Sequence, residues 1–484
     1  MTFRAMKRKN IIWFVICVDI FYFWSSTQAT LINLEDSMNE ETELPGSRAN
    51  LIDASKFDIE KFVNGLGYHF EKHTITTEDG YNLEMHRIPR GKNVSSSAPA
   101  NSPPVLMMHG ILGTSADFLI SGPENSLALQ LADQGYDVWL GNNRGNTYSR
   151  SHYTMSPSNK SFWNFSFHEL GVYDDTAMID YIYNISQKTN ISCLGYSQGA
   201  TQFFAMLSEK PEYNKKLTVL FTMAPLVFMK NSDNNIFRLM ADHYDTVEKI
   251  EKKLDISEFL SHDPIFTSAG DLFCKKSSDY RRVCAAITSN LLGFQKKHVS
   301  GSMLENLWKV FPGGSSFKEF KHYAQLISSG KFRKYDYGSD NTNIYHNETP
   351  PEYDLQQIET PVGVYWAEND GILNVIDKKR FLLHIYKVVV DRGVHSEIFN
   401  HGDFVFNGQA ASLLNYWVIN DLNEHNNKID ITTTREPTSS SSSISSTTAE
   451  STTHHGSSSR SLSPSLFILV ITILFTSTRV LMTS

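Results

Sequence analysis

The feature that most constrains the fold of this chain is a regular alternation of two kinds of segment. Strand-length apolar runs bounded by turn residues recur as "PPVLMMHG", "GYDVWLGN", "NISCLGYS", "KLTVLFTMAP" and "TPVGVYWAEND". Helix-length segments such as "SLALQLADQ", "YDDTAMIDYIYNIS" and "ATQFFAMLSEK" lie between them. Fully apolar strands fit a sheet buried on both faces, and strands that alternate with helices pair in parallel through right-handed crossovers. The sequence therefore predicts an α/β fold with a mostly parallel central sheet.

One long segment, residues 230–350, interrupts this alternation. It contains the helical runs "RLMADHYDTVEKIEKKL", "RRVCAAITSNLLGF" and "SFKEFKHYAQLISSGKF" and lacks strong strand runs. A helical insertion between two parts of an α/β sheet covers the carboxyl ends of the strands, where ligands bind in such sheets. We therefore predict a core made of residues 30–229 and 351–425, with a helical cap and lid between its two parts.

The two ends of the chain differ from this body. Residues 1–29 carry basic residues, an apolar stretch and then small polar residues, which predicts a secretory signal peptide, with an uncleaved anchor as the alternative. Residues 426–464 have too little apolar surface to fold, which predicts a disordered Ser/Thr-rich stalk. The apolar tail, residues 465–484, is short for a membrane span and matches a glycosylphosphatidylinositol (GPI) attachment signal. A tail anchor or an unprocessed tail is the alternative.

Sequons and cysteines agree with an exported protein. The predicted glycosylation sites are Asn93, Asn159, Asn164, Asn184 and Asn347. Cys274 and Cys284 close a short loop, and we expect a disulfide between them in an oxidising compartment, with two free thiols as the alternative. We expect an extracellular or cell-surface location, with the membrane contacted through a C-terminal lipid anchor, and the lysosome as the alternative.

Charge and motif content exclude several classes of function. The formal net charge is 44 minus 52, or −8, without a basic cluster in the body, which argues against nucleic-acid binding. The sequence has no His-Glu-x-x-His motif, no P-loop and no dinucleotide fingerprint. We therefore expect no metal site and no cofactor.

The stretch "CLGYSQGAT" predicts a nucleophile. A Gly-x-Ser-x-Gly match alone is weak in a chain of 484 residues with 27 glycines. Here, however, it lies between a short apolar strand and a helix, which is the strand–turn–helix setting of a nucleophile elbow. Two flanking glycines permit the strained turn and the close approach of helix to strand. We therefore predict that Ser197 is the catalytic nucleophile.

A serine nucleophile needs a base, a carboxylate and donors for the oxyanion. Asp370 follows the predicted strand in "VGVYWAENDGIL", with Glu368 as the nearby alternative, and His401 lies in "SEIFNHGDFVF", with His395 as its alternative. The order Ser, Asp, His is the one that this sheet topology uses. The backbone N–H groups of Gln198, directly after the serine, and of Ile111, in "VLMMHGILGTS", are the predicted oxyanion donors.

Several stretches together resemble the acid lipase family, which includes gastric and lysosomal acid lipases. They span roughly residues 55–422 and include "TTEDGYNLEMHRIPRGK", "MHGILGTSADF", "LADQGYDVWLGNNRGNTYSRSH", "GYSQGATQFF", "SSGKFRKYDYGS", "TPVGVYWAENDGIL" and "FNHGDFVF". The resemblance implies an α/β-hydrolase fold, the same five site residues in the same roles, and a structural role for Arg144. It also implies a short disulfide at the position of Cys274 and Cys284. The implied substrates are esters of long-chain fatty acids with glycerol or sterols.

Two departures from the family pattern stand out. The elbow usually reads Gly-His-Ser-Gln-Gly, whereas Tyr196 stands here in place of the histidine. The stalk and the apolar tail lie outside the family pattern and argue against a freely secreted or lysosomal protein. The predicted function is a lipase that acts at a lipid–water interface by a Ser-His-Asp acyl-enzyme mechanism. A carboxylesterase for shorter or other esters, and a non-catalytic binding protein of the same fold, are the alternatives.

Overall fold

A nine-stranded sheet is the central element of the part of the chain that the computed structural model describes, which is residues 57–92, 102–188, 190–260, 274 and 301–432. Two further strands, β8 and β9, form a separate antiparallel ribbon. The strands are β1 (Glu71–Thr76), β2 (Tyr81–Ile88), β3 (Pro104–Met108), β4 (Asp137–Leu140), β5 (Ser151–His152), β6 (Ile191–Tyr196), β7 (Leu217–Met223), β8 (Glu258–Phe259), β9 (Ser315–Ser316), β10 (Val362–Trp366) and β11 (Val388–Gly393).

The large sheet is mostly parallel, as the sequence predicts. Its order is β1-β2-β4-β3-β6-β7-β10-β11, and β5 pairs with the outer part of β2. Every neighbouring pair from β4 to β11 is parallel, whereas β1, β2 and β5 pair antiparallel at one end. Strands β3, β6 and β7 are buried along their whole length. Their continuous apolar runs are therefore covered on both faces, which is the physical reason that such runs occur in parallel sheets.

Helices flank this sheet and occupy the connections. The α-helices are α1 (Ile59–Gly65), α2 (Leu127–Asp133), α3 (Phe167–Glu169), α4 (Thr176–Ser186), α5 (Gln198–Glu209), α6 (Asn235–Asp242), α7 (Tyr244–Leu254), α8 (Gly301–Val310), α9 (Phe317–Ser329), α10 (Asn341–Tyr345), α11 (Val375–Leu382), α12 (Asp403–Phe406) and α13 (Tyr416–Thr432). Two π-helical turns occur at Leu170–Asp175 and Ala411–Asn415. Short 3₁₀ turns lie at Ser115–Phe118, Lys160–Trp163, Pro211–Lys215, Gly338–Asp340 and Leu355–Gln357.

The segment between β7 and β10, residues 224–361, is the helix-rich insertion of this fold, and we call it the insertion. Its described helices are α6 to α10. Aromatic rings join two of them and β8: Phe237 of α6 stacks on Phe320 of α9, and the ring centre of Phe259 in β8 lies 4.3 Å from that of Phe320. The predicted helical run "RRVCAAITSNLLGF" lies outside the described residues. Cys274 is buried and disulfide-bonded, and its partner also lies outside them, so the pairing with Cys284 stays a prediction.

Arg144, in the loop after β4, is the centre of a buried ion-pair network. Its guanidinium contacts Asp79 at 2.5 Å and Asp174 at 2.7 Å, and it lies 3.9 Å from the ring centre of Tyr81. These contacts tie the loop after β4 to the β1–β2 turn and to the π-helical turn before α4. Because its contacts join three segments of the chain, Arg144 has a structural role.

The predicted terminal segments lie largely outside the described residues. Neither the signal peptide nor the apolar tail is described, and helix α13 continues to Thr432, past the predicted start of the stalk. Within the described residues, no helix combines the length and the apolar character needed to cross a membrane.

Candidate active site

Ser197 occupies a strained turn between β6 and α5. Its backbone has φ 53° and ψ −117°, in the left-handed half of conformational space that side-chain-bearing residues avoid. Its N–H donates to the carbonyl of Met223 at 2.8 Å, which holds the turn. The flanking glycines are required by space, since a Cβ on Gly195 would lie 2.5 Å from the Ala200 nitrogen and one on Gly199 would lie 2.2 Å from the Met108 carbonyl oxygen.

Ser197, His401 and Asp370 form one chain of hydrogen bonds. The Ser197 Oγ lies 2.8 Å from the His401 Nε2, and the His401 Nδ1 lies 2.9 Å and 3.1 Å from the two carboxylate oxygens of Asp370. All three residues are buried. The Asp370 carboxylate accepts the Nδ1 proton, which leaves the Nε2 lone pair to accept the serine hydroxyl proton. The arrangement has the geometry of an activated serine nucleophile.

The three residues lie in the turns and loops that follow three separate strands. Ser197 follows β6, Asp370 follows β10 and His401 follows β11, so all three lie at the carboxyl edge of the parallel sheet. This edge is where ligands bind in open α/β sheets.

Two sets of hydrogen bonds position the carboxylate of Asp370 and the imidazole of His401. The Asp370 Oδ1 accepts the backbone N–H groups of Ile372 at 2.8 Å and Leu373 at 2.9 Å, which fixes the carboxylate orientation. The side-chain oxygen of Asn400 accepts the N–H of Gly371 at 3.1 Å and the N–H of His401 at 2.7 Å. Asn400 therefore bridges the loop of the carboxylate and the loop of the imidazole.

The loop after β3 lies directly against the nucleophile. A Cβ on Gly110 would come within 3.3 Å of the Ser197 Cβ. The Gly110 carbonyl accepts from the Nδ1–H of His109 at 2.8 Å and from the Gly113 N–H at 3.0 Å. A planar trans peptide directs its C=O and N–H to opposite sides. Because the Gly110 carbonyl is held from one side, the Ile111 N–H of the same peptide unit is directed to the other.

His109 is kept neutral in this position. Burial lowers the pKa of His109 to about 4, and the hydrogen bond to Gly110 offsets this only in part. Its Nε2 accepts from the Asn143 backbone N–H and from the Asn146 side-chain amide, both at 3.2 Å. These two donors fix the tautomer that carries its proton on Nδ1.

The second predicted donor, Gln198, is the first residue of α5. The first N–H groups of a helix have no acceptor within the helix, and they lie at its positive end. The backbone N–H of Gln198 is therefore suited to an anionic oxygen above Ser197. The structure thus brings Ser197, Asp370, His401, Gln198 and the loop of Ile111 to one place.

Tyr196, which stands where the elbow of the family usually has a histidine, makes a specific contact. Its hydroxyl donates to the backbone carbonyl of His401 at 3.0 Å, and its ring centre lies 5.4 Å from that of the His401 imidazole. The ring also contacts Gly110, where an added Cβ would lie 3.1 Å from Tyr196 Cε1. The tyrosine is buried between the oxyanion loop and the histidine loop.

The alternatives considered from the sequence lie apart from this site. Glu368 and His395 are exposed, whereas Asp370 and His401 are buried.

Four of the predicted glycosylation sites are exposed: Asn159, Asn164, Asn184 and Asn347. The fifth, Asn93, lies outside the described residues. Glycosylation at these five positions stays a prediction.

Sequence reasoning did not identify His109, Asn400 or the hydroxyl contact of Tyr196. His109 lies two residues before Ile111 and Asn400 directly precedes His401, so their closeness to predicted site residues was a signal in the sequence. What they bind, however, depends on loops that are far apart along the chain.

Comparison with known proteins assigns the chain to a family. The model described as "Partial alpha/beta-hydrolase lipase region" matches residues 59–122, and the model described as "alpha/beta hydrolase fold" matches residues 103–248. "Lipase 1" of Drosophila melanogaster is 34% identical over 360 residues, covering 74% of this chain and 78% of the relative. "Gastric triacylglycerol lipase" of Rattus norvegicus is 34% identical over 362 residues (73% and 88%). "Lipase member K" of Homo sapiens is 30% identical over 368 residues (75% and 90%).

These matches define the class of the protein as a serine ester hydrolase with the α/β-hydrolase fold. The fold, the predicted enzyme class and the predicted family are confirmed. The chain belongs to the acid lipase family, with lipases as its relatives over about three quarters of its length.

Proposed function

We propose that this protein is a lipase of the secretory pathway that hydrolyses esters of long-chain fatty acids with glycerol or sterols. The observation that carries the proposal is the chain of hydrogen bonds from Ser197 through His401 to Asp370, beside the Gly110 loop. The lipase relatives support the lipid ester as substrate, since one of them is named a triacylglycerol lipase.

The proposed reaction begins with proton transfer from the serine. His401 Nε2 removes the proton from Ser197 Oγ as the oxygen attacks the ester carbonyl, and Asp370 stabilises the imidazolium that forms. The negative charge that develops on the carbonyl oxygen is bound by the N–H groups of Gln198 and Ile111. The imidazolium then protonates the leaving alcohol, which leaves the acyl group on the serine.

The second half of the reaction repeats these roles with water. His401 takes a proton from a water molecule while that water attacks the carbonyl of the acyl-enzyme. The histidine then returns the proton to Ser197 Oγ, and the fatty acid leaves. The base must be neutral at the start of each half, because only a free Nε2 lone pair can accept a proton.

The location is part of the proposal. The gastric lipase relatives support a secreted or lysosomal protein, and the N-terminal apolar stretch supports entry into the secretory pathway. The Ser/Thr-rich stalk and apolar tail support attachment to the cell surface through a GPI anchor. Release of the protein from intact cells by a phosphatidylinositol-specific phospholipase tests the anchor.

The test of the activity compares three substrates with the purified protein and its Ser197→Ala variant. A long-chain triglyceride, a cholesteryl ester and a short-chain ester are assayed from about pH 4 to about pH 8, so that an acidic and a neutral optimum can be distinguished. We expect release of long-chain acid by the wild type and none by the variant. Ser197→Ala with normal turnover would refute the assignment of the nucleophile.

Histidine variants supply a matched control. His401→Ala removes the proposed base, whereas His395→Ala changes an exposed histidine of the same loop. We expect only the first to abolish hydrolysis. Serine-dependent cleavage of the short ester alone would favour the alternative, a carboxylesterase, and a folded protein without any ester hydrolysis would favour a binding protein.

A further inference from the structure

A pair of buried side-chain amides joins α5 to the loop after β4. The Nδ2 of Asn143 donates to the Oε1 of Gln202, and the Nε2 of Gln202 donates to the Oδ1 of Asn143, both at 3.0 Å. Gln202 is fully buried, and Asn143 is 3% exposed. Because each amide both donates to the other and accepts from it, the two planar groups fix each other's orientation. We call these two side chains the amide pair.

A carboxyl group holds the amide pair from the other side. The Gln202 Nε2 donates to the Oδ1 of Asp175 at 2.6 Å. Asp175 ends the π-helical turn Leu170–Asp175 and is fully buried. That turn packs closely on α5, since a Cβ on Gly171 would lie 2.4 Å from the Gln202 carbonyl oxygen. Three segments of the chain therefore meet at the Gln202 side chain, and both of its amide hydrogens are bound.

The amide pair is connected to one proposed oxyanion donor through α5. Gln202 lies four residues after Gln198 in this helix, so the two residues lie on the same face and about one turn apart. Ser197 directly precedes the helix. The hydrogen-bonded backbone of α5 therefore fixes the position of the Gln198 N–H relative to the amide pair.

The same pair is connected to the other proposed donor through His109. The backbone N–H of Asn143 donates to the His109 Nε2 at 3.2 Å, and the His109 Nδ1–H donates to the Gly110 carbonyl at 2.8 Å. This carbonyl belongs to the peptide unit that carries the Ile111 N–H. Hydrogen bonds thus run from α5, through the amide pair and His109, to the peptide of Ile111.

The two donors need such a connection because they belong to separate elements. Gln198 is on α5, whereas Ile111 is in the loop after β3. Their N–H groups stabilise a developing charge only when both lie about 2.7–3.1 Å from the same oxygen. Apolar packing between two elements has no directional preference. Buried hydrogen bonds are directional, and a satisfied buried network makes the elements that it joins rigid.

We propose that Asn143 and Gln202 are positioning residues for the oxyanion hole. Their amide pair sets the spacing of the two N–H donors, those of Gln198 and Ile111. Both residues act on the reaction through α5 and His109 rather than by contact with the reacting atoms. This inference rests on the proposed function and deepens it, since it adds two residues that govern how well the site stabilises the oxyanion.

The test measures kcat and KM for a soluble ester, per folded molecule, in Gln202→Met and Asn143→Ala. These variants remove the amide pair from either side, so one of them still tests the proposal if the other does not fold. We expect kcat to fall about 10- to 100-fold at unchanged KM, which is less than the roughly 10²–10³-fold cost of removing a donor outright. Unchanged kcat in the folded variants would overturn the proposal.

The double variant Gln202→Met/Asn143→Ala tests whether the two residues act as one unit. We expect it to lose no more kcat than the more affected single variant, because either substitution already removes the pair. Losses that multiply in the double variant would contradict the proposal.

Two inhibitors separate an effect on the oxyanion hole from a general loss of packing. A trifluoromethyl ketone with the acyl chain of the ester adds to the Ser197 Oγ and places an anionic oxygen in the hole, whereas an ether analogue has no carbonyl oxygen to bind there. Because the ketone adduct resembles the transition state, we expect both variants to bind the ketone about 10- to 100-fold more weakly and the ether with wild-type affinity. Equal weakening of both inhibitors would contradict the proposal.

Asn415 supplies a matched control. It is buried like Asn143, and its Nδ2 donates at 3.0 Å to the Asn125 carbonyl and to the side-chain oxygen of Gln130. These bonds hold the π-helical turn Ala411–Asn415 against α2 and the segment before it. We expect Asn415→Ala to lower the temperature of thermal unfolding and to leave kcat unchanged. A fall in kcat as large as that of Asn143→Ala would show that loss of any buried amide has this effect, and would overturn the proposal.

The wild type distinguishes failure of this inference from failure of the proposed function. A folded wild type that hydrolyses no ester would refute the proposed function, and this inference with it. Serine-dependent hydrolysis by the wild type, with unaltered kcat in both folded variants, would refute the inference alone.

Discussion

Replacing Asp370 by asparagine tests the proposed catalytic geometry most directly, because the structure decides how the new amide must lie. The Oδ1 of Asp370 accepts two backbone N–H groups, from Ile372 and Leu373, while His401 Nδ1 lies closer to Oδ2, at 2.9 Å, than to Oδ1, at 3.1 Å. The amide oxygen of Asp370→Asn must take the Oδ1 position to keep both backbone bonds. Its NH₂ group then faces His401.

This orientation stabilises the wrong tautomer of the histidine. An NH₂ donor needs an acceptor, so Nδ1 gives up its proton and Nε2 carries it instead. Nε2 can then no longer accept the proton of Ser197. Turning the amide over would leave two buried N–H groups without an acceptor, at about 1–3 kcal/mol each. We therefore expect kcat to fall about 10⁴-fold, which corresponds to about 5.4 kcal/mol of transition-state stabilisation.

The assay is the steady-state hydrolysis of a soluble ester by the wild type, Asp370→Asn and Glu368→Gln. Glu368 is an exposed carboxylate two residues earlier on the same loop, so its variant controls for a general loss of charge. We expect Glu368→Gln to retain wild-type kcat. If Asp370→Asn keeps more than about a tenth of the wild-type kcat, the tautomer argument is wrong.

Three other variants test the supports of the site. Tyr196→Phe removes the hydroxyl that donates to the His401 carbonyl; we expect a loss of about 1–3 kcal/mol in stability and a lower kcat at unchanged KM, measured by thermal unfolding and kinetics. Arg144→Met leaves Asp174 as an unpaired buried carboxylate, so urea unfolding should show a loss of about 3–5 kcal/mol, and an unchanged kcat per folded molecule would support a structural role. Gly199→Ala places a Cβ 2.2 Å from the Met108 carbonyl, and we expect it to lower both stability and activity, whereas wild-type values would contradict the packing of the elbow.

Much of the fold could be predicted because its signals are local. The apolar runs that became β3, β4, β6, β7 and β10 are continuous, since each strand is covered on both faces. Strand β11 lies at the end of the sheet and is exposed or half-buried along its length, and its apolar run is only three valines long. The ribbon of β8 and β9 is two residues long on each side, too short for any periodic pattern.

The site residues also differ in how far local sequence could identify them. Ser197 could be assigned because its turn, glycines, strand and helix are neighbours in sequence. Asp370 and His401 could be distinguished from Glu368 and His395 only through motif resemblance, since each pair lies within a few residues and shares its chemistry. Burial and hydrogen bonding separate the two members of each pair, and these properties depend on which loops meet.

The sequence by itself determined the class of fold, the family and the chemistry of the groups that meet at the sheet edge. It did so because strand periodicity, turn glycines and reactive side chains are properties of short segments. Only the tertiary structure decided that Tyr196 holds the histidine loop and that His109 directs the Gly110–Ile111 peptide. The Tyr196 hydroxyl donates to a carbonyl 205 residues away in the sequence, and His109 accepts from donors more than thirty residues away. Burial and charge at these positions therefore arise only when the chain has folded.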